Sequence, residues 1–183
     1  MRKKKFELTD DGLNLNGITL YRIKALKDFA FIKKGDMGGW IEKESNLSQD
    51  GNCWIFGNAK VFGDAKVFGD ALIFGHSQVY DNAKVYGRPE VGGYAKIYGN
   101  AEVFGTATVS QNALVFEKAI VFGNACIYGM AEICGDAEIC GDAEICGNAE
   151  VKSISDYIVF KNSWSNGRYF TWTKSNNMWR AGC

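Results

Sequence analysis

The 183-residue chain holds one histidine and six cysteines, so its inventory for acid–base, nucleophilic or metal chemistry is short. His76 lies in Gly75-His76-Ser77-Gln78, and an imidazole titrating near neutrality can act as a general base. It also stands where neighbouring segments carry Asn or Asp at a turn, so a substituted turn residue is the simpler reading. A single histidine rules out a three-histidine metal centre. Three cysteines, Cys134, Cys140 and Cys146, recur every six residues, as do Glu132, Glu138 and Glu144. Glu132 and Glu150 lie eighteen apart and could hold a hard cation, although no Asp-rich calcium nonapeptide accompanies them. No cofactor or metal site is expected. The aromatic residues are the other chemistry-bearing class, and their spacing is more regular still.

That regularity comes from the elements that must carry these side chains. From Gly51 to Lys152 the chain reads as seventeen consecutive hexads without insertion, with consensus Gly-Asn/Asp-Ala-x-Val/Ile-aromatic. Slot five is Val or Ile in all seventeen, and slot three is Ala in fourteen, the exceptions being Cys53, Ser77 and Pro89. Slots three and five lie two apart, so in an extended chain they share one face and make a thin apolar wall. Slot four, with Lys, Glu, Gln and Thr, then faces solvent. Slots one and two, Gly followed by Asn or Asp, accept positive φ and turn the chain. No apolar stripe recurs at 3.6 residues, which excludes a helix. A fixed period over a hundred residues predicts a solenoid of short strands stacked at about 4.8 Å.

The pairs Ala65 before Val67 and Ala137 before Ile139 resemble the small-x-aliphatic rule of the LpxA-like superfamily of hexapeptide-repeat proteins. The flanks Gly38-Gly39-Trp40-Ile41-Glu42, Asn46-Leu47-Ser48 and Trp172-Thr173 are similar to its YdcK-like branch. The resemblance implies an all-β, left-handed parallel β-helix with three hexads per turn and small β-rich caps. It also implies that the chain of such relatives continues past Cys183. Many relatives are acyltransferases that use a His as general base, a role that would fall to His76, but seventeen unbroken hexads leave no loop excursion to shape an acceptor site. The branch occurs in bacteria and phages, where an inhibitor or decoy is one form a non-catalytic member could take.

An eighteen-residue turn stacks side chains eighteen apart. Eleven of seventeen slot-six residues are aromatic, and the column Phe62-Tyr80-Tyr98-Phe116 is the most regular candidate for a surface that binds a protein partner or a second copy. A ladder of small hydroxyls, as on an ice-binding face, is absent from the outward slots. Cys134, Cys140 and Cys146 fall on three corners, too far apart for a disulfide or a shared ion. Reduced thiols are expected.

Lys plus Arg equals Asp plus Glu at 21 each, which removes any global basic field for nucleic acid. The balance hides a gradient of +2, −5 and +3 across residues 1–50, 51–152 and 153–183. Early slot-four positions hold Lys60, Lys66, Lys84 and Lys96, and late ones Glu132, Glu138 and Glu144, which suits a basic patch on a partner or the basic half of another copy. Residues 1–50 are read as an N-terminal cap, with strands around Asp10-Asp11-Gly12 and Asn16-Gly17 turns, a loop from Lys33 to Gly39, and Trp40 packed beside Trp54. Residues 153–183 are read as an antiparallel meander carrying Trp164, Trp172 and Trp179 with Arg168 and Arg180. Aromatics among bases can bind nucleic acid, though packing of the cap is favoured. Pro89 is expected to disturb the coil locally. With no apolar run of about 18 residues and no signal-peptide core, a cytoplasmic protein away from membranes is expected.

Overall fold

The computed structural model describes residues 4–161 and 169–181. Through the repeats run seventeen two-residue strands, from β4 (Trp54–Ile55) to β20 (Glu150–Val151). Each pairs in parallel with the strand three hexads away, so Glu102-Val103 lies between Lys84-Val85 and Ile120-Val121. The strands stack into three flat faces: face one includes Trp54–Ile55, face two Lys60–Val61, and face three Lys66–Val67. This is the parallel β-solenoid of eighteen residues per turn that the hexads predict, nearly six turns long. Every slot-five residue and the Ala of slot three are buried, forming one continuous interior.

The hydrogen-bond ladder explains what each slot tolerates. Slots two, four and six donate to carbonyls of slots one, three and five in the next turn: Asn100 N–H to Glu117 O at 2.6 Å, Glu102 to Ala119 at 3.0 Å, Phe104 to Val121 at 2.9 Å. In a regular hexad slot three therefore donates nothing between turns. Pro89 sits there, buried and in register with both neighbours, and its own carbonyl accepts from Leu72 N–H. The expected irregularity is confined to the corner, where Gly87-Arg88 bend without the turn of the neighbouring corners, and the ladder is undisturbed because the missing N–H was never part of it. Ser77, the polar exception in slot three, donates its hydroxyl to Phe74 O at 2.7 Å, so its burial leaves no orphan group.

Slot one has no inter-turn backbone acceptor for its N–H, and at the corner after face two acids fill that need. Glu42, Asp81 and Glu117 accept the amides of Gly63, Gly99 and Gly135 in successive alternate turns. Asp81 and Glu117 adopt φ of 58° and 59° to do so, a left-handed strain that the charge-assisted bond offsets.

Because all ladder N–H groups point toward the C-terminal end, the first turn presents unpaired carbonyls and the last turn unpaired amides. The caps are chemically matched to this. At the start, Trp40 and Glu42 amides reach Ala59 O and Val61 O, and Ser48 N–H reaches Val67 O. Asn46, fully buried, donates to Gly63 O at 3.0 Å and Ala65 O at 2.9 Å. The Lys5 ammonium, also buried, donates to Cys53 O at 3.0 Å and approaches the Cys53 thiol at 3.2 Å. Burial pushes the Lys5 ammonium pKa down and the Cys53 thiol pKa up, each opposed by the other's proximity. At the far end the cap supplies acceptors: Thr171 Oγ1 takes Glu144 N–H, Ser175 Oγ takes Glu150 N–H, and Asp156 takes Lys152 N–H. Asn46→Ala should orphan the buried Ala65 carbonyl and the partly buried Gly63 carbonyl and lower stability by about 1–3 kcal/mol, read as a lower chemical-denaturation midpoint. An unchanged midpoint would mean that water replaces the amide.

The N-terminal cap differs in detail from its sequence reading. Strand β1 (Phe6–Leu15) runs unbroken against β2 (Ile18–Ala25), and Asp10-Asp11 form a bulge instead of a turn because the register shifts between Leu8 and Gly12. Strand β3 (Met37–Ile41) begins inside the expected loop; it pairs with β2 and, in parallel, with Lys60–Val61. Gly38 and Gly39 make this approach possible, since a Cβ on Gly39 would lie 2.5 Å from Ile55 Cγ2 and 2.7 Å from Ala59 O. Trp40 does not join Trp54: its ring lies under Arg22, whereas Trp54 is buried against Phe6 and Phe29. Alternation along β3 turns Ile41 inward and hence Trp40 outward, and the hairpin folds over the outward slot of Trp54.

Candidate contact surface

Slot six follows the inward Val or Ile, so its side chain leaves at the start of the corner, half-exposed. On face two Phe62, Tyr80, Tyr98 and Phe116 stack with ring centroids 5.0 Å apart and planes within 1–2° of parallel. The spacing is close to the stacking of successive strands at about 4.8 Å, so each ring lies flat on the rings above and below it. The structure brings together all four residues singled out on this column. It also shows an equally regular ladder on face three, Phe68-Tyr86-Phe104-Phe122, at 4.8–5.1 Å. There the Tyr86 hydroxyl donates to Glu102 at 3.0 Å and Glu102 binds Lys84, so part of that ladder is internally engaged. On face one the column breaks at Gly92, where any Cβ would collide with the Phe74 ring at 2.2 Å.

Burial raises the phenol pKa of Tyr80 and of Tyr98, and nearby Glu132 and Glu117 add to the effect at Tyr98. The face-two ladder also borders a groove. The tip of the β1–β2 hairpin, with Leu15, Asn16 and Ile18, overhangs Phe62, Gln78, Tyr80 and Lys96, leaving about 400 Å³. Sequence reasoning missed this groove, because the hairpin has no period that would place its tip over a particular rung.

His76 is exposed at a corner, its ring stacked on Tyr94 at 5.0 Å with planes 6° apart. Among the described residues no carboxylate pairs with the imidazole to orient it as a base, and His76 does not line the groove. The carboxylates Glu132, Glu138 and Glu144 lie on faces two, three and one, so they form an acidic belt around the coil and not a single patch. The Tyr128 hydroxyl donates to the Glu144 carboxylate; burial first and this bond second push the Tyr128 pKa up. Among the described residues no three His, Cys, Asp or Glu side chains converge to hold a metal. The thiols of Cys53, Cys134, Cys140 and Cys146 are free.

The C-terminal meander comprises β21 (Tyr157–Lys161), β22 (Tyr169–Thr173) and β23 (Met178–Ala181). Its inner face buries Tyr157, Thr171 and Thr173 against the last turn. Tyr157 donates to Glu138 O, and burial, then the Cys140 thiol, push its pKa up to about 12. Trp172 and Trp179 share the outer face, where Phe160 stacks on Phe170. Arg180 pairs in register with Thr171, on the opposite face. The structure therefore separates Arg180 from the two tryptophans. Trp164 and Arg168 lie outside the described residues. No described helix is long and apolar enough to cross a membrane.

No family model matches the chain. A stretch of 54 residues, 30% of the chain, is 41% identical to a protein of Escherichia coli (strain K12) named "Uncharacterized acetyltransferase YdcK". That stretch covers 16% of the relative's length. The stacked hexads and this match agree with the resemblance to hexapeptide-repeat proteins.

Proposed function

We propose that the coil is a non-catalytic contact surface, and that the face-two ladder Phe62-Tyr80-Tyr98-Phe116 is where it meets a protein partner or another copy. The observation that supports this is the preordering of four half-exposed rings by mutual stacking. Aromatic side chains already fixed in place lose little rotamer entropy on binding, which is what makes them effective anchors. A rigid rod with such a ladder suits an assembly element, or an inhibitor or decoy that occupies a partner's surface. The test is affinity capture from the native host with wild type and Tyr98→Glu in parallel. A specific partner or a doubled mass lost in the variant supports the reading; identical behaviour of the two rejects it.

A second reading, acyl transfer with His76 as base, draws on the acetyltransferase in the relative's name. The stacking of His76 on Tyr94, with no carboxylate paired to it among the described residues, does not favour it. On the contact reading, His76→Ala leaves any thioester binding and turnover unchanged at background, as calorimetry with coenzyme A thioesters would register. Turnover that disappears in His76→Ala would reverse the order of the two.

A further inference from the structure

We propose that face two receives a second copy of this chain, laid antiparallel, so that the basic half of one coil meets the acidic half of the other. The proposal rests on the contact-surface reading and names its occupant. The outward side chains of face two run Lys60, Gln78, Lys96, Leu114, Glu132, Glu150 in consecutive turns, paired in register. A two-fold axis lying in this face along the Leu114 strand turns the column onto itself. Leu114 then meets Leu114 of the second copy, Lys96 meets Glu132, and Gln78 meets Glu150. An axis in that direction also keeps slot six on the same side, so Phe116 faces Phe116 and the two ladders run together. An isologous pair needs this self-complementarity.

The other faces lack it. Face one runs Trp54, Leu72, Glu90, Thr108, Cys126, Glu144 and has no base in its outward column. Face three holds Lys66, Lys84, Glu102, Ile120 and Glu138, and there Lys84 is already bound to Glu102 at 2.8 Å. Lys96 and Glu132, by contrast, make no ion pair within the chain among the described residues. Lys96 lies in the groove under the hairpin tip, where Leu15 and Ile18 give the acidic end of a second copy an apolar wall beside the cation.

Five inter-turn steps at about 4.8 Å make a face about 25 Å long, and it offers on the order of 500 Å² per copy, less than a standard interface. Such a dimer depends on its charge pairs and weakens with salt. The test is sedimentation equilibrium of wild type, Lys96→Glu, Glu132→Lys and the double variant, with circular dichroism checking that each retains the coil. Both positions are outward, so folding should persist. Wild type should approach twice 20.2 kDa at low salt. Each single variant should dissociate at least about tenfold more readily, the double should recover to within about threefold, and about 0.5 M salt should favour the monomer. An unaltered mass in Lys96→Glu, a double variant as weak as the singles, a trimer, or a wild-type monomer at all concentrations would each overturn the proposal. Capture of a different protein that Tyr98→Glu abolishes would still uphold the ladder, so the two readings fail separately.

Discussion

Val103→Asp is expected to remove the cooperative melting of the coil at its normal temperature. Val103 is fully buried, in register between Val85 and Val121 and among aliphatic residues and alanines, and the one buried ammonium among the described residues, Lys5, is held at the first turn over Cys53. A carboxylate there must either stay charged and unpaired or take up a proton, and both are costly. A loss of about 4 kcal/mol or more follows, equivalent to about 10 °C or more in melting midpoint for a chain of this size. The geometry amplifies the effect. Each turn contacts only the turns above and below, so a defect at Val103 weakens one of the three rungs that join the half-coils on either side of it. Lys66→Ala, an exposed slot-four change, should shift stability by no more than about 0.5 kcal/mol. Thermal denaturation of the three proteins distinguishes inward from outward slots, and similar midpoints would contradict the assignment.

Tyr98→Glu is expected to have the largest effect on association. Tyr98 stacks between Tyr80 and Phe116, so the change removes two ring contacts worth about 0.5–1.5 kcal/mol each. It also places a charge beside Glu132 and Glu117, which already act on this site. Two controls separate contact from folding. Tyr98→Phe keeps both stacks and should keep association. Phe104→Glu breaks two equivalent stacks on face three, with Tyr86 and Phe122, and should lower stability similarly while leaving association intact. Light scattering and affinity capture of the variants read the difference. Equal loss of association in Tyr98→Glu and Phe104→Glu would mean that rigidity of the coil, and not the face-two ladder, controls it.

The coil was legible because its rules are local. Two residues of separation set the inward pair, and two turn-forming residues set the corner, so Ala101, Val103 and Phe104 could be placed by counting. Stacking at eighteen residues then followed, and with it the ladders. The caps were less legible, because nothing periodic connects them to the rungs they close. Asn46 looks like an ordinary loop residue, yet it closes two carbonyls of the first turn. Lys5 looks like part of a basic N-terminus, yet it is buried over Cys53. Trp54 obeys its slot by facing outward and is buried all the same, because the hairpin folds over it. Asp81 and Glu117 broke the glycine rule for a reason visible only across turns, the free amides of Gly99 and Gly135. At the candidate surface the column Phe62-Tyr80-Tyr98-Phe116 was readable in full. The groove beside it required the position of the hairpin tip, and the acidic residues were readable as a gradient but not as a belt over three faces.

The most direct test of the contact surface is hydroxyl-radical footprinting of the protein, dilute and concentrated, and in complex with any partner it captures. Tyr80, Tyr98 and Phe116 should lose reactivity in the associated state, while Tyr86, Phe104 and Phe122 on face three keep theirs. If both ladders react equally in every state, the face-two ladder is not a contact surface and the account fails.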